Sequence, residues 1–435
     1  MEKKIFKMRG LNFLKNNINR QSLYLLFFLI LFRIIFGFYL ESFNPDFFFT
    51  SDTSRYVDAA REICYTGKFN DINKMPEILR TPGLSILLLP AVCFDMNLKI
   101  YIIFLNSISI LLVAYFTFKI IGLINIKINF LFVFLIFLFD PTLFRYNYNI
   151  LSDIVFLFWF TLAIYFFIKG IKNTNFYFFF LGFVIFTLSS FIRPIVLYLP
   201  YFLIISFILI YSLNSSFRSK FKFSLLLISL LGLIAHSFLT QLWIDRNYKL
   251  TGVRQFSFIQ SLNSYYYVSA GIVAKSQKKN FEEVKKDFLI KTKNFSDPEL
   301  ADYSKTELKN NIIRYPIETI LVGLEGAMMT FFTPGTGQYA KMLNVSQNKY
   351  KIAETIFNFI GFIWIFIMSL LTIFGVVKIN KNILFISLTL IFVYLLLVSS
   401  GPGSYSRFRI PFIPIIVVFI ACGFENLLKL IKNSR

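Results

Sequence analysis

One histidine, three cysteines and 23 acidic residues are all that this 435-residue chain holds of three chemically useful groups. With His236 alone, and inside an apolar run, a His-ligated metal or a Ser-His-Asp triad has almost no basis; the residue reads as a packed polar group within a bundle. Cys64, Cys93 and Cys422 are odd in number and far apart, so they suggest neither a disulfide framework nor zinc spacing. Charged residues of both signs make up only 16% of the chain, too few for a soluble domain of this length. No internal repeat and no low-complexity tail is present. No small-residue cleavage site follows the first apolar run, which argues against a cleaved signal peptide.

What the chain does have is apolar length. Hydrophobic residues are 56% of the total, in repeated runs near the roughly 20 residues that cross a bilayer. The 58 phenylalanines read first as lipid-facing filler. Basic residues number 45, a formal net charge of +22, but they are scattered between the apolar runs. That pattern fits the positive-inside rule and not nucleic-acid binding.

Charge and apolar runs together predict an all-α, polytopic bundle of about ten spans. A basic tail, 1–21, lies in the cytoplasm. A seven-span module, 22–248, includes an outer loop, 41–99. In that loop Tyr56, Ala59, Ala60, Ile63 and Cys64 share one helical face, so the helix lies along the membrane. The apolar stretch Pro82 to Phe94 is too short to cross and is placed at the interface. Span three runs from Ile126 to Asp140, and Pro141 to Ser152 forms a short outer loop. An outer segment with interfacial helices, 249–356, follows span seven. Within it, Ala274 to Asn294 reads as one solvated helix and Ile317 to Phe332 as interfacial or re-entrant. A three-span bundle with a basic tail, 357–435, ends the chain. Both termini are cytoplasmic, and Asp52, Asp153, Arg193, Arg246 and Arg407 all fall on the outer side.

These charged residues belong to short motifs. They are Asp52-Thr53-Ser54-Arg55-Tyr56, Ala59-Ala60-Arg61-Glu62-Ile63, Gly67-Lys68-Phe69 and Arg80-Thr81-Pro82-Gly83. Then come Asn149 to Asp153, Phe191-Ile192-Arg193-Pro194, Arg246-Asn247-Tyr248 and Tyr405-Ser406-Arg407-Phe408-Arg409-Ile410-Pro411. In order and spacing, over most of the chain, the set resembles the GT-C superfamily of integral-membrane glycosyltransferases. It is nearest in style to bacterial polyprenyl-phosphate-dependent enzymes such as the aminoarabinose transferases, and to protein mannosyltransferases. The resemblance implies a catalytic acid in the first outer loop and a longer outer segment after span seven. The family's first Asp is often followed directly by a second acid; Thr53 stands there instead.

The resemblance implies a bacterial inner-membrane enzyme. It would move a sugar from a polyprenyl-phosphate donor to a lipid, glycan or protein acceptor at the outer face. Such transfer needs a base for the acceptor and fixed cations for the leaving phosphate. Asp52 is the expected base. Arg55 and Arg80, with Arg193 and Arg407, are the expected phosphate ligands, because a planar guanidinium binds oxygens in pairs and stays charged. Arg55, one helical turn from Asp52, is expected on the same face. Asp153 would hold the acceptor, orient Arg55, or share a divalent cation with Asp52, Mg²⁺ or Mn²⁺ by the hardness of the oxygens. The bland alternatives are helix caps for Asp52 and Asp153 and interfacial anchors for Arg193, Arg407 and Arg409. Two other functions compete: a lipid-oligosaccharide flippase, and an O-antigen polymerase or ligase. A flippase would place charge near the midplane and show paired halves.

The map predicts that a cysteine introduced as Lys286→Cys is labelled by an impermeant maleimide in intact spheroplasts. Labelling only after lysis would overturn the orientation.

Overall fold

In lipid a backbone can satisfy its N–H and C=O groups only within itself or against other protein, so proline-poor apolar runs become helices. The computed structural model describes residues 20–213, 223–377, 382–399, 401, 403 and 405–433. Most of the N-terminal tail, the basic cluster Arg218, Lys220 and Lys222, and the terminal Arg435 lie outside the described residues. The chain is an all-α, multi-pass membrane protein, with no strand among the described residues.

The first half comprises α1 (Arg20–Phe43), α2 (Thr53–Thr66), α3 (Gly83–Cys93), α4 (Leu98–Leu123) and α5 (Phe130–Phe139). It continues with α6 (Pro141–Tyr146), α7 (Asp153–Asn173), α8 (Phe176–Ile192), α9 (Leu199–Leu213) and α10 (Phe223–Thr251). The polar segment after it folds as α11 (Ile259–Asn263), α12 (Ala270–Gln277), α13 (Phe281–Lys291), α14 (Asp297–Arg314) and α15 (Pro316–Phe332). The chain ends with α16 (Tyr339–Met342), α17 (Gln347–Val377), α18 (Ile383–Ser399) and α19 (Ile413–Asn433). Among the described residues, six stretches are long and apolar enough to cross a bilayer: Tyr24–Phe43, Leu98–Leu123, Asp153–Asn173, Pro194–Ser212, Gln347–Val376 and Ser406–Leu428. Helices α3, α5, α8 and α18 are apolar but shorter.

Several boundaries differ from expectation. Span three is only the ten residues of α5. The supposed outer loop after it is packed inside the bundle. Asn147, Tyr148, Asn149 and Ile150 are buried, and their backbone is satisfied from neighbouring segments. Asn106 of α4 donates to Asn147 O at 2.9 Å, Ile150 N donates to Phe48 O at 3.0 Å, and Thr53 Oγ1 donates to Ile150 O at 3.2 Å. The expected solvated helix of 274–294 is two helices, broken where Lys278 turns left-handed at φ 53°. Helix α15 exposes Ile317, Ile320, Leu324 and Met328 along one side, a pattern that suits the interface.

The phenylalanines are not filler where it matters. Phe156, Phe160 and Phe167 of α7 and Phe179, Phe183 and Phe186 of α8 are fully buried. Phe167 and Phe179 stack at 5.0 Å. A Cβ on Gly170 would stand 2.5 Å from Phe179 N, and one on Gly182 would stand 2.8 Å from Phe167 N. The two helices therefore close to backbone contact, as small residues permit. This antiparallel pair puts the first residue of α7, Asp153, beside the residue that ends α8, Arg193.

Cys64 of α2 and Cys93 of α3 form a disulfide with Cα atoms 5.7 Å apart, which overturns the reading of unpaired cysteines. The bond fastens the amphipathic α2, which buries Tyr56, Val57, Ala59 and Ala60, to the short apolar α3. Disulfides persist in oxidising compartments, which agrees with an outer position for the 41–99 loop. Alkylation of denatured protein is expected to modify one cysteine, Cys422, before reduction and all three afterwards. Three modified cysteines without reductant would remove the bond.

Candidate functional site

Scarce carboxylates in an apolar chain must find cations, and two of them find the same one. Asp52 precedes α2 in helical conformation and makes no capping bond, which disposes of the cap reading. Its carboxylate accepts from Arg80 Nη2 at 2.7 Å and from Arg407 Nη1 at 3.4 Å. Asp153 opens α7 and is fully buried. It accepts from Arg407 through Nε at 3.0 Å and Nη2 at 2.9 Å, a two-pronged contact, and from Arg193 Nη1. Arg407 thus bridges two carboxylates that stand a hundred residues apart in the chain. Arg193 and Arg407 are ion-pair partners, not interfacial anchors.

Local sequence explains how each arm is aimed. Arg80 follows Glu77, a fully buried acid whose Oε1 accepts the backbone N–H groups of Leu79 at 2.7 Å and Arg80 at 2.9 Å. The next residues pack on the end of α8. Thr81 Oγ1 donates to Ile192 O at 3.3 Å, and a Cβ on Gly83 would stand 2.7 Å from Phe191 O. The Arg-Thr-Pro-Gly and Phe-Ile-Arg-Pro motifs are therefore two sides of one contact. Arg407 sits on a 3₁₀ turn, Ser406–Phe412. That turn is anchored by buried Arg409, which donates to Phe331 O at 2.9 Å, Thr333 O at 3.0 Å and Thr142 Oγ1 at 2.9 Å. Arg409 so satisfies carbonyls left open at the end of α15.

Arg55, an expected phosphate ligand, and Arg246, a motif residue, lie outside the network. Arg55 forms its ion pair with another acid: its Nη1 pairs with Glu77 Oε2 at 3.3 Å. It lines a polar cleft of about 210 Å³ with Ser54, Asp58 and Asp71. Arg246 donates to Glu77 O at 2.8 Å and Phe69 O at 3.0 Å over the Trp243 ring, and so fastens the 41–99 loop to the end of α10. Sequence alone does not single out Glu77; its one signal is an acid placed three residues before Arg80.

The side chains differ in access. Asp52 is 24% exposed, Arg80 15%, and Arg193 and Arg407 each 16%, against 0% for Asp153. Asp52 is therefore the carboxylate that a substrate can reach. Three guanidiniums against two carboxylates leave one positive charge in excess, which suits an anion. A divalent cation shared by Asp52 and Asp153 would have to take the place of Arg407 between them. Among the described residues no cluster of three metal-ligating side chains is present, so such an ion would draw its remaining ligands from water or a substrate phosphate.

No family model matches the chain, and no curated protein matches it in sequence.

Removing one partner of a buried ion pair leaves an uncompensated charge, at about 3–5 kcal/mol. Asp153→Asn is therefore expected to lower Tm much more than Asp52→Asn, measured on purified protein in detergent. Equal Tm values for the two variants would contradict the buried bridge.

Proposed function

We propose that the chain is a glycosyltransferase of the outer membrane face. In this reading it transfers a sugar from a polyprenyl-phosphate-linked donor to a cell-envelope acceptor, in the manner of the GT-C enzymes it resembles. The observation that carries the reading is Arg407, held between Asp52 and Asp153 with Arg80 and Arg193 at the flanks. The cluster combines a reachable carboxylate with surplus cationic charge at helix ends. A flippase would be served by charge near the middle of its spans, and this network uses none.

The acceptor hydroxyl gives its proton to Asp52 while its oxygen attacks the anomeric carbon. The bond from that carbon to the phosphate oxygen breaks, and the electron pair leaves with the phosphate. Arg80 and Arg407, each with one edge on Asp52, meet the developing negative charge; fixed donors of this kind are often the largest catalytic contribution. Asp153 works through Arg407 and Arg193 and is a positioning residue. Arg407 supplies the charge that a metal would otherwise bring. Arg55 serves by holding Glu77, and through it the backbone at Arg80.

Asp52→Asn keeps the shape and is expected to slow transfer by roughly 10²–10⁴-fold with protein level and Tm near normal. The measurement is labelled-sugar transfer from a polyprenyl-phosphate donor in reconstituted membranes, with EDTA as a parallel arm. Near-normal turnover in the variant would end the mechanism. Loss in EDTA restored by Mg²⁺ or Mn²⁺ would instead return the aspartates to metal binding.

A further inference from the structure

Arg145 is a cation that the proposed chemistry leaves unused. It closes α6, the short helix that follows α5 into the bundle. Its guanidinium lies 4.7 Å from the centre of the Tyr146 ring, and the same ring carries Arg407 at 5.7 Å. The two guanidiniums therefore stand no farther apart than the sum of those distances. Among the described residues no carboxylate pairs with Arg145, and its Nε is shielded from solvent without an acceptor. Arg80 shows the same defect at its own Nε, while it lies 5.7 Å from the Tyr56 ring.

A shielded N–H without an acceptor is costly, and native structures rarely leave one unexplained. Both carboxylates of the cluster are already engaged, Asp52 by Arg80 and Arg407, Asp153 by Arg407 and Arg193. Adding Arg145 raises the local excess of positive charge from one to two. The contacts run Arg80, Asp52, Arg407, Tyr146, Arg145. The unmet Nε–H groups of Arg80 and Arg145 thus stand at the two ends of this series of contacts, where each can donate to an anion.

We propose that Arg145 binds a second phosphate of the substrate, beside the phosphate met by Arg80 and Arg407. The inference rests on the phosphate site of the proposed function. The second phosphate has two chemical sources, a diphosphate-linked donor or a phosphate carried by the acceptor.

The test uses the full-length protein in nanodiscs and calorimetric titration. Inorganic phosphate and pyrophosphate are the first probes. Wild-type protein is expected to bind pyrophosphate about tenfold more tightly, the value of one charged hydrogen bond. Arg145→Gln should lose that preference and keep its phosphate affinity, which also reports an intact fold. Arg145→Lys should keep part of the preference, and Arg80→Gln should weaken both anions. Pyrophosphate affinity that is equal in wild type and Arg145→Gln overturns the second subsite alone. Failure of wild type to bind either anion overturns the phosphate reading as a whole. The source is settled by two further arms. An Arg145-dependent preference for polyprenyl diphosphate over polyprenyl monophosphate assigns the subsite to the donor. Arg145-dependent binding of glucose 1-phosphate to protein saturated with polyprenyl monophosphate assigns it to the acceptor.

Discussion

The contact of Arg407 with Asp52 and Asp153 organises one end of this bundle. A fully buried carboxylate is tolerable only when cations and hydrogen bonds surround it, and Asp153 receives both from Arg407 and Arg193. Each partner comes with its own support. Arg193 is delivered by the glycine-permitted closeness of α7 and α8. Arg407 is delivered by a 3₁₀ turn whose other arginine, Arg409, is fastened to the end of α15. Arg80 is delivered by Glu77, and Glu77 by Arg55 and Arg246. Most of the motif residues that were noticed one by one therefore serve a single purpose, which is to fix the distance between two carboxylates.

The same economy of polar groups shapes the interior beneath. Helix α5 stops early, and its last turn is closed from the side. Arg33, buried in α1, donates to Leu138 O at 2.9 Å and approaches Asn147 Oδ1 at 3.4 Å. Asn106, Asn149 and Thr53 complete the pairing of the irregular stretch that follows. Non-helical backbone is tolerated at membrane depth only where protein encloses it, and here three buried asparagines and an arginine perform that enclosure. The outcome is a firm floor under Asp153 and Tyr146.

Much of this was readable from the chain. Acids are so rare among the apolar runs that Asp52 and Asp153 stood out, and the positive-inside pattern put Arg193 and Arg407 on their side. What the sequence hid has physical causes. Spacing along a helix shows which residues share a face but not which partner a long side chain reaches, so the spacing of Arg55 from Asp52 does not reveal its pairing with Glu77. Hydropathy records how apolar a segment is and not how deep it sits, so the buried stretch after α5 read as a surface loop. Cys64 and Cys93 lie 29 residues apart, and only the packing of α2 on α3 brings them together. The phenylalanines of α7 and α8 are indistinguishable by composition from those that face lipid.

The order of the chain gives the Arg407 bridge a meaning for biosynthesis. Residues enter the membrane from the N-terminus onward, so Asp52, Arg80, Asp153 and Arg193 are inserted well before their central partner. Until the segment carrying Arg407 arrives, Asp153 has one cation instead of two and Asp52 lacks its second. A chain that stops short of Arg407 is an unfinished scaffold whose buried acid is undercompensated, and quality-control proteases favour such targets. The charge network closes only once the segment that carries Arg407 has been inserted, so a copy that stops before it lacks the bridge between Asp52 and Asp153.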